Sequence, residues 1–391
     1  MTKNRPRTTP VKVLHVTNDL AVGGSEVMLH RLLAETDRER FDPVVLSLAG
    51  GGALYGAVEA LNIPVLSARM RAPLPSASSV GRLIREARAV KPDLIQGWMY
   101  HGSLAAQFVR TLSRPRARVI WGIRNSISRP SREKRMTDAV IRLGALASRL
   151  PDGIIYVSNA NRSEHEALGY FNRNNYVVPN GFDTSLFAPS VRTRSLVRAE
   201  LGVPEGVVLV GLIARFHPSK DHANFLRAAA LLLRDCRNVR FLLCGSGVDS
   251  GNLSINRLAA ELCISDKLLL LGERHDVPRL MTALDLLSSS SSNESFHNVI
   301  GEAMSSGLPC VATAVGGVPW LLGDTGILTP PRDPEALAQG LKRLIMMGRE
   351  GRMLLGSEAR RRIVENFSLQ SVARQYESIY MKTVGRALES D

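Results

Sequence analysis

The sequence predicts an α/β protein built of two doubly wound, Rossmann-like domains facing a cleft. Three observations carry this expectation. A chain of 391 residues is longer than one hydrophobic core ordinarily organises. Short apolar runs alternate with helical periodicity along the whole length, as parallel strands with helices on both faces require. The pattern then restarts near residue 207, after VVPNGFDTSLFAP (177–189), a stretch rich in Pro, Gly, Asn and Asp that suits a linker.

The elements follow in order. VKVLHVT (11–17) reads as a buried strand, followed by the glycine-containing turn NDLAVGGSE and the helical stretch VMLHRLLAET. DPVVLSLAG (42–50) and IPVLSA (63–68) are the next strands. VGRLIREARAV (80–90) is an amphipathic helix leading into PDLIQGW (92–98), then the helix GSLAAQFVR. RVIWGIR (118–124) and DGIIYVS (152–158) complete the first sheet. In the second half, VVLVGLIAR, VRFLLCGSG (239–247), KLLLLGER (267–274), DLLSSSS, LPCVATAVGG (308–317) and TGILTP (325–330) are strands. HANFLRAAALLLRD, INRLAAELC and VPRLMTAL (277–284) are helices between them, and helical segments run to the end. The expected domains are residues 1–185 and 186–366. Ligands in such sheets bind beyond the carboxyl ends of the strands.

Composition is that of ordinary globular material, 45% hydrophobic and 22% charged. No apolar run approaches the ~20 residues of a spanning helix, and the N-terminus lacks a signal-peptide core. A cytoplasmic location is expected. The four cysteines lie singly, without metal-ligand spacing, so no metal site is expected and buried reduced thiols are. Net charge is +14 and uneven. Residues 1–185 hold 26 Lys and Arg against 15 Asp and Glu. Residues 110–135 hold nine cations and one acid, Glu133. A solvated face and a phosphate-meeting patch both account for this.

Chemistry concentrates in SSSSSNESFHNVIGE (288–302). Glu294 follows a strand, and helix periodicity starts near Phe296 or His297. Amides of that first turn, at Ser295, Phe296, His297 and Asn298, form an anion site with the helix dipole. Glu302 falls in the second turn, within reach of hydroxyls beyond the anion. On spacing alone, a helix-cap acid and a surface glutamate explain the pair as well. GLIARFHPSKDH (211–222) adds Arg215 and Lys220 just past a strand end, two cations suited to a diphosphate. GGSE places Gly23 and Gly24 at a strand–helix turn, where a plain tight turn is an equal reading. His101 follows the fourth strand, and Arg124 and Asn125 the fifth; a lone histidine is more often structural than catalytic.

With these residues in view, ESFHNVIGE resembles the E-x7-E signature of family 4 of the retaining glycosyltransferases, which have the GT-B fold. GGSE, HGSLAA, VVPNGFD, IARFHPSK and GLPCVATAVGGVP match that family's segments in register. The resemblance implies that Arg215 and Lys220 bind the donor diphosphate. It implies that Glu294 contacts the donor sugar, Glu302 the ribose, and the backbone at 296–298 the distal phosphate. Gly24, with Gly23, would approach the diphosphate, and His101 would lie beside the transferred sugar. The base would sit near Gly245 or by Glu273 and Arg274. The last helix, about 367–391, would return to the first domain. The implied activity is metal-independent, retaining transfer from a nucleotide sugar, UDP favoured, to a glycan or lipid-linked acceptor in surface polysaccharide or glycoconjugate biosynthesis. No cofactor is implied, and no DxD is present. One departure stands out: Asp221 occupies the place of a glycine common in relatives.

The resemblance also sharpens the basic region Arg110–Leu150. REKRMTDAVIRLGALASRL can be written as a helix with the apolar stripe Met136, Val140, Leu143, Ala147 and Leu150, flanked by Arg135, Arg142 and Arg149. Peripheral attachment to an anionic membrane on the inner face of the plasma membrane and an ordinary packed helix are both open. Alternatives are an epimerase on the same fold and, from the pI near 10.1, a basic nucleic-acid-binding protein. The second lacks an aromatic platform, and nucleic acid is not an expected partner. A phosphorylase would need a longer chain with a pyridoxal lysine, and a dinucleotide oxidoreductase a GxGxxG.

Overall fold

The structure, a computed structural model, describes residues 9–70, 76–113, 116–127 and 135–386. The chain divides into two compact units, residues 1–181 with 369–391 and residues 182–368.

In the first unit the order is β1 (Val11–Thr17), α1 (Gly24–Glu35), β2 (Phe41–Ser47), α2 (Tyr55–Glu59), β3 (Val65–Ser67), α3 (Ala77–Val90), β4 (Leu94–Trp98) and α4 (Met99–Ser113). Next come β5 (Arg118–Ile123), α5 (Arg135–Ala147), β6 (Gly153–Tyr156), α6 (Asn159–Ala167) and β7 (Asn175–Val177). The seven strands form a parallel sheet in the order β3-β2-β1-β4-β5-β6-β7. Their near-continuous apolar runs are explained by helices covering both faces. One core holds Leu29, Leu33, Phe41 and Trp98, and the opposite one Leu14, Leu46, Ile95 and Trp121.

The second unit runs α7 (Val191–Glu200), β8 (Val208–Ile213), α8 (His222–Leu233), β9 (Val239–Cys244), α9 (Leu253–Glu261), β10 (Leu268–Leu270) and α10 (Val277–Ala283). It continues with β11 (Leu286–Ser289), α11 (Asn298–Ser305), β12 (Cys310–Thr313), α12 (Val318–Leu322), β13 (Ile327–Thr329), α13 (Pro334–Met346) and α14 (Gly348–Asn366). Its parallel sheet has the order β10-β9-β8-β11-β12-β13. Both sheets therefore reverse direction once, between β1 and β4 and between β8 and β11. Those reversals are where ligands of doubly wound sheets sit.

The final helix, α15 (Leu369–Val384), belongs to the first unit. It buries Leu369, Val372, Ala373, Tyr376, Ile379 and Tyr380 in the core beneath α1. That spacing of three and four is one helical face. Glu377, also buried, accepts the backbone N–H of Asp37 at 2.9 Å. The short elements α2, α6 and β7, and helix α7, are additions to the sequence reading. The three residues of β7 and five of α2 carry too little periodicity to stand out, and α6 and α7, of nine and ten residues, are mostly polar.

Candidate active site

In the second unit, β8 and β11 are hydrogen-bonded neighbours, with Leu286 and Leu287 opposite Val210 and Gly211. The loops leaving their carboxyl ends must therefore meet. The β8 loop carries Arg215 and a single helical turn, Pro218–Lys220. The β11 loop carries the serines and Glu294. Lys220 Nζ reaches the Glu294 carboxylate in a tight ion pair, and Ser291 Oγ donates to the same oxygen at 2.9 Å. Both charged side chains are largely buried, at 19% and 14% exposure.

The serine run wires these loops together. Ser289 Oγ lies 2.6 Å from His297 Nε2. Ser290 Oγ donates to the Lys220 carbonyl at 2.9 Å, and the Ser292 N–H to the Ser219 carbonyl at 2.7 Å. Thr313 Oγ1 on β12 donates to the Ser291 carbonyl at 2.5 Å. Every serine from 289 to 292 thus holds a bond across the site. This role has no sequence signal beyond the run itself.

Burial sets the charge states. Desolvation drives the His297 imidazole down to about 4, against the pull of Glu294 3.6 Å away. His297 is then neutral at pH 7. Burial also pushes the Glu294 carboxyl up, but the charges of His297 and Lys220 and the hydrogen bonds from Lys220 and Ser291 outweigh it, leaving it below the ordinary range. With His297 neutral, the cation that acts on Glu294 at neutral pH is Lys220.

Helix α11 starts at Asn298, one residue later than the periodicity suggests, with His297 as N-cap making no side-chain cap bond. Phe296 is buried, stacked on Phe182 and edge-on to Trp320. It anchors the loop and presents only backbone. Ser295, Asn298 and Glu302 are half-buried, Glu302 in the second turn of α11. Arg215 is exposed and in no ion pair among the described residues.

Two close backbone approaches fix the loops. Gly245, at φ +152, lies so near Ala214 and Arg215 that a Cβ would come 2.2 Å from the Ala214 carbonyl oxygen. Gly316, at φ +53, sits where a Cβ would fall 1.6 Å from the Glu294 carbonyl oxygen. Only glycine fits either place. Gly316→Ala is expected to push Glu294 out of position and lower turnover about tenfold or more. Gly206→Ala, where a Cβ meets nothing within 4 Å, is the matched control; equal rates for the two variants would refute this.

Asp221 resolves the departure noted in the sequence. It adopts the left-handed conformation, φ 48 and ψ 56, and its carboxylate caps α8 by accepting the Asn224 N–H at 3.2 Å. Aspartate is among the few residues that tolerate this region. It supplies the turn a glycine would make, plus a cap.

Gly245 donates its N–H to the Gly272 carbonyl at 2.8 Å, which brings it beside the loop carrying Glu273 and Arg274. Glu273 is exposed. The Arg274 guanidinium is already engaged by both Asp276 oxygens, at 2.7 and 2.8 Å, and by Glu200 at 3.2 Å. The side chain is thus held by acids of its own loop and of α7, while its backbone borders Gly245.

In the first unit, Gly23 is the N-cap of α1 and Gly24 its first residue. The Glu26 carboxylate folds back on the turn, 2.3 Å from where a Gly23 Cβ would be. His101 lies exposed in the first turn of α4, beyond β4. Met99 before it has φ 60, a strained conformation for a non-glycine residue. Gly97 and Gly102 let this turn press onto the sheet, since a Cβ on either would come 2.4 Å from backbone. Arg124 turns inward. It is buried, bonded to the Tyr376 hydroxyl and Asn180 side chain, and packed 5.6 Å over Trp98. The strand end tilted it inward, towards α15.

The basic helix also differs from the sequence reading. In α5, Ile141, with Val140, Ala145 and Ala147, packs on the core. Leu143 and Leu150 are exposed, at 55% and 57%, and Leu146 at 81%. Among its described side chains, the expected stripe of Met136, Val140, Leu143, Ala147 and Leu150 therefore mixes two faces. Arg114, Arg129, Arg132 and Lys134 lie outside the described residues.

Comparison with known proteins converges on one group. Residues 22–186 match the family described as Glycosyltransferase Family 4, and residues 207–347 that described as Glycosyl transferases group 1. The chain is 30% identical to N-acetyl-alpha-D-glucosaminyl L-malate synthase of Bacillus anthracis, over 59% of each chain. It is 35% identical to D-inositol 3-phosphate glycosyltransferase of Corynebacterium efficiens, over 52% of this chain and 50% of that one. It thus spans between half and three fifths of the length of these curated relatives. Anabaena HepE, solved in complex with UDP and glucose, superposes with a TM-score of 0.80 at 25% identity, covering 95% of this chain and all of that one.

Proposed function

Since the chain belongs to the family 4 glycosyltransferases, we propose that it moves a sugar from a nucleoside-diphosphate sugar, a UDP-sugar, to a glycan or lipid-linked acceptor. The observation that carries this is the Lys220–Glu294 pair beside the N-terminus of α11, at the reversal point of the second sheet. HepE, one of its structural neighbours, was solved in complex with UDP and glucose and with UDP-glucose.

Arg215, Lys220 and the α11 N-terminus stabilise the departing diphosphate, since preorganised cations and amides act where charge develops. Glu294, kept ionised by Lys220, accepts hydroxyls of the donor sugar, and Glu302 those of the ribose. Gly245 and the Glu273–Arg274 backbone flank the base. From the first unit, Gly23 and Gly24 are read as the backbone approach to the diphosphate and His101 as a neighbour of the transferred sugar. Transfer proceeds with retention, the leaving phosphate taking the acceptor proton. Arg215 and Lys220 do the work of a metal cation on the diphosphate.

The acceptor side is read as membrane-proximal. No helix among the described residues is long and apolar enough to cross a membrane. Leu143, Leu146 and Leu150 instead form an exposed stripe beside Arg142 and Arg149, suited to lying on the cytoplasmic face of an anionic bilayer.

Thermal unfolding with UDP, GDP or ADP tests the donor assignment. UDP at about 100 times its dissociation constant is expected to add roughly 2.7 kcal/mol, with no such gain from GDP or ADP and none with Lys220→Ala. Turnover unaffected by chelator and an unchanged anomeric configuration in the product would support the rest. No stabilisation by any nucleotide would overturn the reading.

A further inference from the structure

A charged cavity lies in the first unit, at the end of the strands opposite to Gly23 and His101. It opens where β5, β6 and β7 begin and has a volume of about 630 Å³. Arg118, Arg149, Arg173 and Lys382 line it, with Phe171 and Tyr176. Its single acid, Asp152, is fully occupied. It accepts from the Val119 N–H at 2.8 Å and from Arg118 at 2.9 Å, and pairs with Arg110 at 3.3 Å. Arg149, Arg173 and Lys382 have no acidic partner among the described residues. Arg149 rests 5.4 Å over the Phe171 ring and Lys382 5.6 Å over Tyr176. A neighbouring cavity shares Tyr176 and Lys382 and adds Arg374.

This basin is preformed. The loop carrying Phe171 and Arg173 is pinned by Asn172 Nδ2, which donates to the Ser148 and Pro151 carbonyls at 3.0 and 2.9 Å. The Phe171 N–H donates to Ser148 Oγ at 2.8 Å. Three uncompensated cations held in a fixed hollow suit a phosphate group. Its lining includes Phe171, 55% exposed; exposed Leu150 stands between the lining residues Arg149 and Pro151 in the chain, and exposed Leu146 lies about one turn earlier, in α5. A free anion makes no use of those side chains, whereas a lipid uses both.

We propose that this cavity receives the phosphate of an anionic phospholipid headgroup, with Leu146, Leu150 and Phe171 at the level of the acyl boundary. The proposal rests on the membrane reading of α5 and assigns to it a specific headgroup site, built largely from residues outside that helix. It places the anchoring point at the strand N-termini of the first unit, at the other end of the strands from the loops of that unit that carry Gly23, Gly24 and His101.

The test is co-sedimentation of the full chain with vesicles of phosphatidylcholine alone or with about 30% phosphatidylglycerol. The wild type is expected to bind only the anionic vesicles. Arg149→Gln/Arg173→Gln/Lys382→Gln is expected to bind on the order of a hundredfold more weakly, and inorganic pyrophosphate at constant ionic strength to compete with the vesicles. Leu143→Ser/Leu146→Ser is expected to lose binding as well. All five positions are exposed, and an unchanged stabilisation by UDP confirms folding. If the triple variant binds like wild type while the leucine variant does not, the headgroup site is wrong and the membrane reading stands. If wild type binds neither vesicle, both fall, whatever pyrophosphate does.

Discussion

Lys220→Ala is expected to lower kcat by about 10²- to 10³-fold, the usual cost of removing one preorganised charge stabiliser. It is also expected to destabilise the second unit. Lys220 is the cation on a carboxylate only 14% exposed, and an abandoned buried charge costs roughly 3–5 kcal/mol. The two effects are separable. In Lys220→Ala/Glu294→Gln the orphaned charge is gone, and the neutral amide still accepts from Ser291 Oγ. Stability should then largely return while kcat stays low, because the departing diphosphate has lost the Lys220 cation and keeps only Arg215 and the α11 amides. Urea unfolding and steady-state rates on the same preparations decide it. A double variant that regains turnover as well as stability would mean that Lys220 serves only to hold Glu294. A single variant within about threefold of the wild-type kcat would remove Lys220 from the mechanism altogether.

That argument depends on a contact the sequence could not display. Glu294 and the cations at 215 and 220 stood out because each follows an apolar strand run and precedes helical periodicity, and Glu302 because it falls early in the helix that comes next. Their meeting depends on β8 and β11 being adjacent, a property of sheet order that periodicity does not encode. The same holds for Gly316, separated from Glu294 by 22 positions yet pressed against its carbonyl. The doubly wound class was legible because strands buried on both faces leave uninterrupted Val, Ile and Leu runs. Side-chain direction was not. Arg124 sits at a strand end as a ligand-facing residue would, but Tyr376 on α15, 252 positions away, draws it into the core. Leu143 shares a helix with Ile141, and a two-residue difference in phase turns one outward and the other inward. The Asp221 turn was uncertain from sequence for a related reason: aspartate can imitate glycine at positive φ, but composition alone does not say that it does.

The second large effect concerns acid. His15, His222 and His297 are all buried, and desolvation holds their imidazoles at about 3, 4 and 4. Their folded values lie below the ordinary 6.5, so the unfolded chain binds more protons. Stability is therefore intact at pH 7 and is lost as pH falls from about 6.5 towards 4. By about pH 5 each imidazole would cost roughly 2 kcal/mol, or roughly 6 for the three together. His222 and His297 fall in the same unit, where their roughly 4 kcal/mol is a large share of the ~5–15 kcal/mol that holds a typical domain. His165, also lowered by burial, acts in the same direction. Glu294, whose pKa is depressed, adds a further loss as pH falls through its folded value. Glu164 and Glu377, raised by burial, work the other way. The chemistry at His15 is specific: its Nδ1 accepts the Trp98 indole N–H at 3.1 Å, and a proton there would remove the acceptor. Urea unfolding at pH 7, 6 and 5 is expected to show stability falling steeply over this window. His15→Gln keeps an acceptor without a titrating ring, so its stability should fall less than wild type's over the same range. A flat profile between pH 7 and 5 would show that these rings are hydrated or already charged in the folded protein. His297 would then not be neutral, and Lys220 would not be the one cation acting on Glu294 at neutral pH.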